Sequence, residues 1–245
     1  SGAADGFHPN AVGGTLILFI PLQIGLLMSA PNVPKSGNSL RQRLRFLSPT
    51  LQVIALLFTA GTLALTQSRG AWIGLIVGLM GFLVFHGQRA RRLAVLILIA
   101  GGVVLAVAGP TRALGLATTQ LGSGMEHNVV SRIELWSRAI YVISDFPFTV
   151  IGMNMFRRVM PILYPSFLMS PDFDVAHAHN HLLQSALDLG LPGLIAYLAL
   201  WLGTGFLLVR VFRTSETAWV KNISIGLGAG FIAHFVFGMS DAIAL

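Results

Sequence analysis

A chain of 245 residues with 54% hydrophobic side chains, 10% charged ones and a mean hydropathy of +0.76 stands far from soluble domains, where about a quarter of residues are charged. The absence of cysteine excludes disulfides and thiolate metal sites together. A net charge of +7 is no sign of nucleic-acid binding, because most of the basic residues gather in alternate connections between apolar runs: Lys35, Arg41, Arg43 and Arg45; Arg89, Arg91 and Arg92; Arg210, Arg213 and Lys221. That is the positive-inside pattern of a protein woven through a membrane.

Taken in order, the apolar runs 11–30, 50–65, 71–85, 93–108, 191–209 and 223–239 predict six membrane spans in an all-α, polytopic integral membrane helix bundle. Residues 1–109 form four spans with short loops, 110–190 a long, partly helical extracytoplasmic loop expected to carry the catalysis, and 191–245 two C-terminal spans. The chain opens on Ser1-Gly2 without a signal-peptide pattern, so a fragment lacking earlier spans is expected. The charge bias sets His8, the 67–70 turn, the long loop and Asp241 on one extracytoplasmic face.

Inside the loop, residues 129–142 have helical spacing, with Ile133, Trp136, Ile140 and Tyr141 apolar and Arg132, Glu134 and Arg138 polar; Pro147 ends the pattern. Residues 152–165 are amphipathic and carry Arg157 and Arg158, as an interfacial helix would. A loop over 166–174 holds Asp172 and Asp174. The stretch VAHAHNHLLQSALDLGLPG (175–193) then reads as a helix starting near His179. It sets His177, His181, Gln184 and Asp188 on one wet stripe, with Leu182, Leu183, Ala186, Leu187 and Leu189 as apolar support. Gly190, Pro192 and Gly193 break the helix before the next span.

Two polar features call for chemistry. Arg69, in TQSRGAW between the second and third runs, reads either as a snorkelling interfacial arginine or as a fixed cation for a phosphate, whose oxygens match a guanidinium fork. The histidine cluster invites zinc, since His177 and His181 are four apart and Asp172, Asp174 or Asp188 would complete a site. No HExxH pattern accompanies it, however, and the histidines straddle two helix faces. A general base is the better use of one imidazole, with structural or supporting roles for the others. The sequence has no Gly-rich phosphate loop and no G-x-S-x-G elbow. Trp136, Tyr141 and Tyr164 suit packing better than sugar stacking.

His179-Asn180, nine residues, then Gly190-Leu191-Pro192-Gly193 resembles the H-N-x9-G-x-x-G signature of the O-antigen ligase and polymerase superfamily. HPNAVGG (8–14) and TQSRGAWIG (66–74) are similar to two further blocks in the same order, and GMSDAI near the C-terminus to a weaker one. The resemblance implies the C-terminal half of a larger GT-C-like membrane enzyme at the outer face of a bacterial cytoplasmic membrane. In that enzyme His179 is the essential loop histidine, Arg69 the arginine near the donor diphosphate and Arg132 a second loop arginine. Arg138 joins them as a donor-binding candidate, and His8, His177, Asn180, His181, Gln184 and Asp188 as supporting residues.

The implied reaction is inverting transfer of a glycan from an undecaprenyl-diphosphate carrier to an acceptor hydroxyl on a glycolipid or polysaccharide, among membrane lipids, with no metal, no other cofactor and no nucleic acid. Alternatives are a polymerase of the same family, or a transporter or flippase for the same lipid-linked glycan. The transporter would need charged or broken helices near the midplane, and the runs contain no acid. A membrane scaffold would leave the clustered histidines without purpose.

Overall fold

The computed structural model describes residues 8–29, 49–108, 124–149, 151–165 and 176–241. Its regular elements are helices: α1 (Pro9–Ser29), α2 (Pro49–Thr66), α3 (Arg69–Phe85), α4 (Gln88–Ala108), α5 (Gly124–Asp145), α6 (Phe156–Leu163), α7 (His181–Thr214) and α8 (Ala218–Gly238). The expected all-α membrane architecture is present, and all six apolar runs fold as helices. Large apolar side chains such as Phe58, Leu65, Leu98, Leu202 and Phe206 lie exposed along them, as hydrocarbon rather than water selects.

The count of spans needs correction. Among the described residues, four helices, α1, α2, α7 and α8, are long and apolar enough to cross a membrane, where six spans were expected. Helix α3 has 17 residues, about 25 Å of rise against about 30 Å of hydrocarbon. Helix α4, described as far as Ala108, opens on Arg89, Arg91 and Arg92, so its apolar part within the described residues rises about 24 Å. The basic residues Lys35, Arg41, Arg43 and Arg45 and the acids Asp172 and Asp174 lie outside the described residues.

The chain forms two compact units, one of residues 1–91 with 200–237 and the other of 92–199 with 238–245. In the first, α1 packs on α2 and α3, and a polar clasp crosses the apolar surface where Gln23 Nε2 donates to Thr59 Oγ1 at 3.1 Å. Helix α8 approaches α1 backbone to backbone. A Cβ on Gly226 would sit 2.7 Å from the Pro21 carbonyl oxygen and one on Gly230 2.4 Å from that of Leu18. This spacing of four is the small-residue contact through which helices associate where the solvent offers no hydrophobic drive.

In the second unit, Leu135, Ala139 and Val142 of α5 bury against Phe156 and Met160 of α6 and against Ala178 and Leu187. Helix α7 starts at His181, two residues later than the sequence suggests, because Asn180 caps it: Asn180 Oδ1 accepts from Leu182 N at 3.0 Å and Leu183 N at 3.2 Å, satisfying two amides that a longer helix would otherwise use. The predicted break falls at Gly190, whose φ of 71° and ψ of −177° are open essentially to glycine alone. It divides α7 into arms 181–189 and 191–214. The connection after α5 is tied to this kink by Leu191 N to Pro147 O at 2.9 Å and Ile151 N to Leu187 O at 3.3 Å.

Candidate active site

Hydrogen bonds on either side hold the histidine loop around one residue. The Ala178 amide is fixed at both ends, its N–H donating to Gln184 Oε1 at 2.9 Å and its carbonyl accepting from Trp136 Nε1 of α5 at 3.0 Å. On the other side Asn180 caps α7 and donates from Nδ2 to Met239 O at 3.4 Å. Between these clamps His179 has a φ of +50°, the left-handed region that non-glycine residues occupy only when their surroundings over-determine it. The positive φ turns the chain back so that His179 N donates to His177 Nδ1 at 3.2 Å, and the two rings meet at 4.3 Å.

Both imidazoles face Asp241, which follows α8. His179 Nδ1 lies 3.2 Å and His177 Nε2 3.8 Å from the same Asp241 Oδ1; Asp241 is 8% exposed and His179 32%. A carboxylate only accepts, so Nδ1 of His179 carries the proton and Nε2 keeps its lone pair. His177 is fixed in the opposite tautomer, because its Nδ1 accepts an amide proton and its Nε2–H faces the acid. The arrangement provides an oriented base: one partly exposed imidazole with a lone pair on Nε2, backed by a buried carboxylate.

The stripe of His177, His181, Gln184 and Asp188 is not a wet helix face. His177 precedes the helix, and His181, Gln184 and Asp188 are all buried, each against a polar partner inside the unit. Gln184 Nε2 donates to Asp188 Oδ1 at 2.9 Å, and Asp188 also takes a backbone hydrogen bond from Asn154. His181 Nδ1 meets the Tyr197 hydroxyl at 2.9 Å. A Cβ on Gly238 would fall 2.8 Å from the His181 ring. Removing Gln184 leaves the Ala178 N–H unpaired and takes one hydrogen bond from the Asp188 carboxylate. Gln184→Ala is therefore expected to cost about 1–3 kcal/mol of stability, as buried groups left unpaired do. Gln184→Glu should be worse, since it keeps the acceptor for Ala178 but repels Asp188. Thermal inactivation of the purified variants measures both.

On α5, Arg138 lies 3.8 Å from the buried Glu134 and 5.9 Å over the Tyr141 ring, so its charge already has partners. Half-buried Arg132 stands one turn before Trp136, the residue that braces the histidine loop, and so shares its stripe of α5. Tyr164 donates to Asp145. That carboxylate, with burial and its negative charge, raises the phenol's pKa above its ordinary value and keeps Tyr164 a donor.

Arg69 and His8 belong to the first unit. Arg69 is exposed at the first position of α3, behind Ser68, whose hydroxyl accepts from Ala71 N at 3.4 Å. His8 precedes α1, its carbonyl accepting from Val12 N at 3.2 Å and its Nδ1 from Asn10 N at 3.3 Å. The two sequence blocks around them meet directly: a Cβ on Gly13 would lie 3.0 Å from Ser68 Cβ and 3.1 Å from Ala71 Cβ.

Sequence reasoning placed Asp241 on the same face as the histidine loop but gave it no role, and it missed Tyr197 and the bracing role of Trp136. The available signal for Asp241 was the GMSDAI block, which places an acid at the end of the last apolar run.

Residues 54–198, more than half of the chain, match the family model described as O-antigen ligase. The chain belongs to the O-antigen ligase family. The matched segment takes in Arg69, Arg132, Arg138 and the histidine loop; His8 and Asp241 lie outside it. Among curated proteins no match was found. Membership in the O-antigen ligase family gives the chain a ligase- or polymerase-type function on lipid-linked glycans in a bacterial membrane.

Proposed function

We propose that this protein is an inverting, metal-independent glycosyltransferase that moves a glycan from an undecaprenyl-diphosphate carrier to an acceptor hydroxyl at the outer face of the cytoplasmic membrane. The observation that carries the proposal is the pairing of His179 Nδ1 with the buried Asp241 carboxylate at 3.2 Å. His179 Nε2 takes the proton of the acceptor hydroxyl as its oxygen attacks the anomeric carbon. The bond from that carbon to the diphosphate oxygen breaks, and undecaprenyl diphosphate departs. Asp241 stabilises the imidazolium so formed. Such a base contributes about 10²–10⁴ in rate.

Arg132, in the same unit as the histidine loop, holds negative charge that grows on the leaving diphosphate, where losing one contact of this kind costs about 2.7–4 kcal/mol; Arg69 is assigned to the donor diphosphate by the family resemblance. Arg138 has a smaller part, because Glu134 already neutralises it. The donor's own diphosphate linkage supplies the driving force, so the step needs neither nucleotide nor metal.

The test uses the whole protein in nanodiscs with lipid-diphosphate glycan and acceptor, following release of undecaprenyl diphosphate. Release by wild type and none by His179→Ala is the expected result. Release undiminished in His179→Ala removes the base, and glycolipid translocation without product makes the protein a transporter.

A further inference from the structure

Asp241 holds a second imidazole that the proposed transfer does not need. His177 Nε2, His179 Nδ1 and Asp241 Oδ1 lie within 4.8 Å of one another. Two imidazole nitrogens and one carboxylate oxygen are a donor set suited to zinc, which at Zn–N distances of about 2.0–2.1 Å spaces tetrahedral ligand atoms roughly 3.3 Å apart. The two nitrogen-to-oxygen separations, 3.2 and 3.8 Å, lie near that edge, and the nitrogen-to-nitrogen one is within 4.8 Å. The fourth position would be left to water, and both rings are partly exposed, at 20% and 32%. Neither His181, held by Tyr197, nor Asp188, held by Gln184, takes part.

We infer that His177, His179 and Asp241 form an inhibitory zinc site, in which the metal switches off the base on which the proposed function rests. The switch is a change of tautomer without change of proton count. A metal on Nδ1 of His179 needs the lone pair there, so the ring's single proton moves to Nε2, the atom that would otherwise accept the acceptor's proton. His177 changes in the opposite sense, binding through Nε2 with its proton on Nδ1. It gives up the 3.2 Å bond from His179 N and the approach of its Nε2–H to Asp241. The metal also takes Asp241 away from its role behind the imidazole, so both halves of the base are lost together.

The experiment titrates Zn²⁺ into the purified whole protein by calorimetry and, in parallel, into the turnover assay. Wild type is expected to bind one equivalent, to lose activity over the same concentration range, and to recover fully on chelation. His177→Ala and, as a second variant against misfolding, His177→Gln are expected to weaken binding by at least roughly ten-fold. The inhibition midpoint should move by the same factor whatever each variant's own rate. Equal affinity in wild type and both variants, or no stoichiometric binding in wild type, overturns the site and leaves the base assignment standing. Tight binding with undiminished turnover keeps the metal site but overturns both the inhibition and the assignment of His179 as base. Loss of wild-type activity on chelation overturns the inhibitory role and the metal-independent reaction alike.

Discussion

Asp241→Asn is expected to lower turnover by about 10²–10⁴ while the protein stays folded and binds its lipid-linked donor with nearly unchanged affinity. The carboxylate contributes through the tautomer it dictates. It can only accept, so it keeps the proton of His179 on Nδ1 and the lone pair on Nε2. An amide is nearly the same size but can turn its NH₂ toward Nδ1, and the ring then carries its proton on the nitrogen that should be bare. The amide also lacks the charge that stabilises the imidazolium formed during transfer. Initial rates of undecaprenyl diphosphate release over a range of donor concentrations separate the two effects: kcat should fall and KM should hold. A wild-type kcat in Asp241→Asn, with His179→Ala inactive, would show that the imidazole works without this partner.

The helices were legible because apolar runs have few other options in hydrocarbon, and every predicted run appears as one. What the sequence hid was closure over distance. His179 and Asp241 are 62 residues apart, and periodicity carries no information about which helix end returns to which loop. Burial was also misjudged on the first arm of α7. His181, Gln184 and Asp188 look like a solvated stripe by type, yet they are buried because each has a polar partner, Tyr197, Ala178 or Asn154. Pattern reasoning assigns burial residue by residue, whereas a satisfied network buries as a group. The helix start was readable in principle, since Asn is a preferred N-cap, but three histidines at regular spacing outweighed it.

Gly190→Ala is expected to destabilise the second unit through backbone strain. At φ 71° and ψ −177° an alanine occupies a region that costs of order 1–3 kcal/mol, and relaxing toward helical angles would straighten α7. Straightening would pull Leu191 N from Pro147 O and Leu187 O from Ile151 N, and so shift the arm that carries Asn180 and Gln184 beneath the histidine loop. The control is Gly203→Ala in the apolar arm of the same helix. There a new methyl meets nothing within 4 Å, and the helical backbone gains the propensity that glycine lacks. The half-life of activity at a fixed elevated temperature is the suitable measure, because membrane proteins of this kind commonly unfold irreversibly. It should shorten several-fold for Gly190→Ala and stay the same or lengthen for Gly203→Ala. Equal half-lives for the two would mean that the bend in α7 exerts no hold on the loop, and that the clamps on Ala178 and Asn180 suffice to position the base.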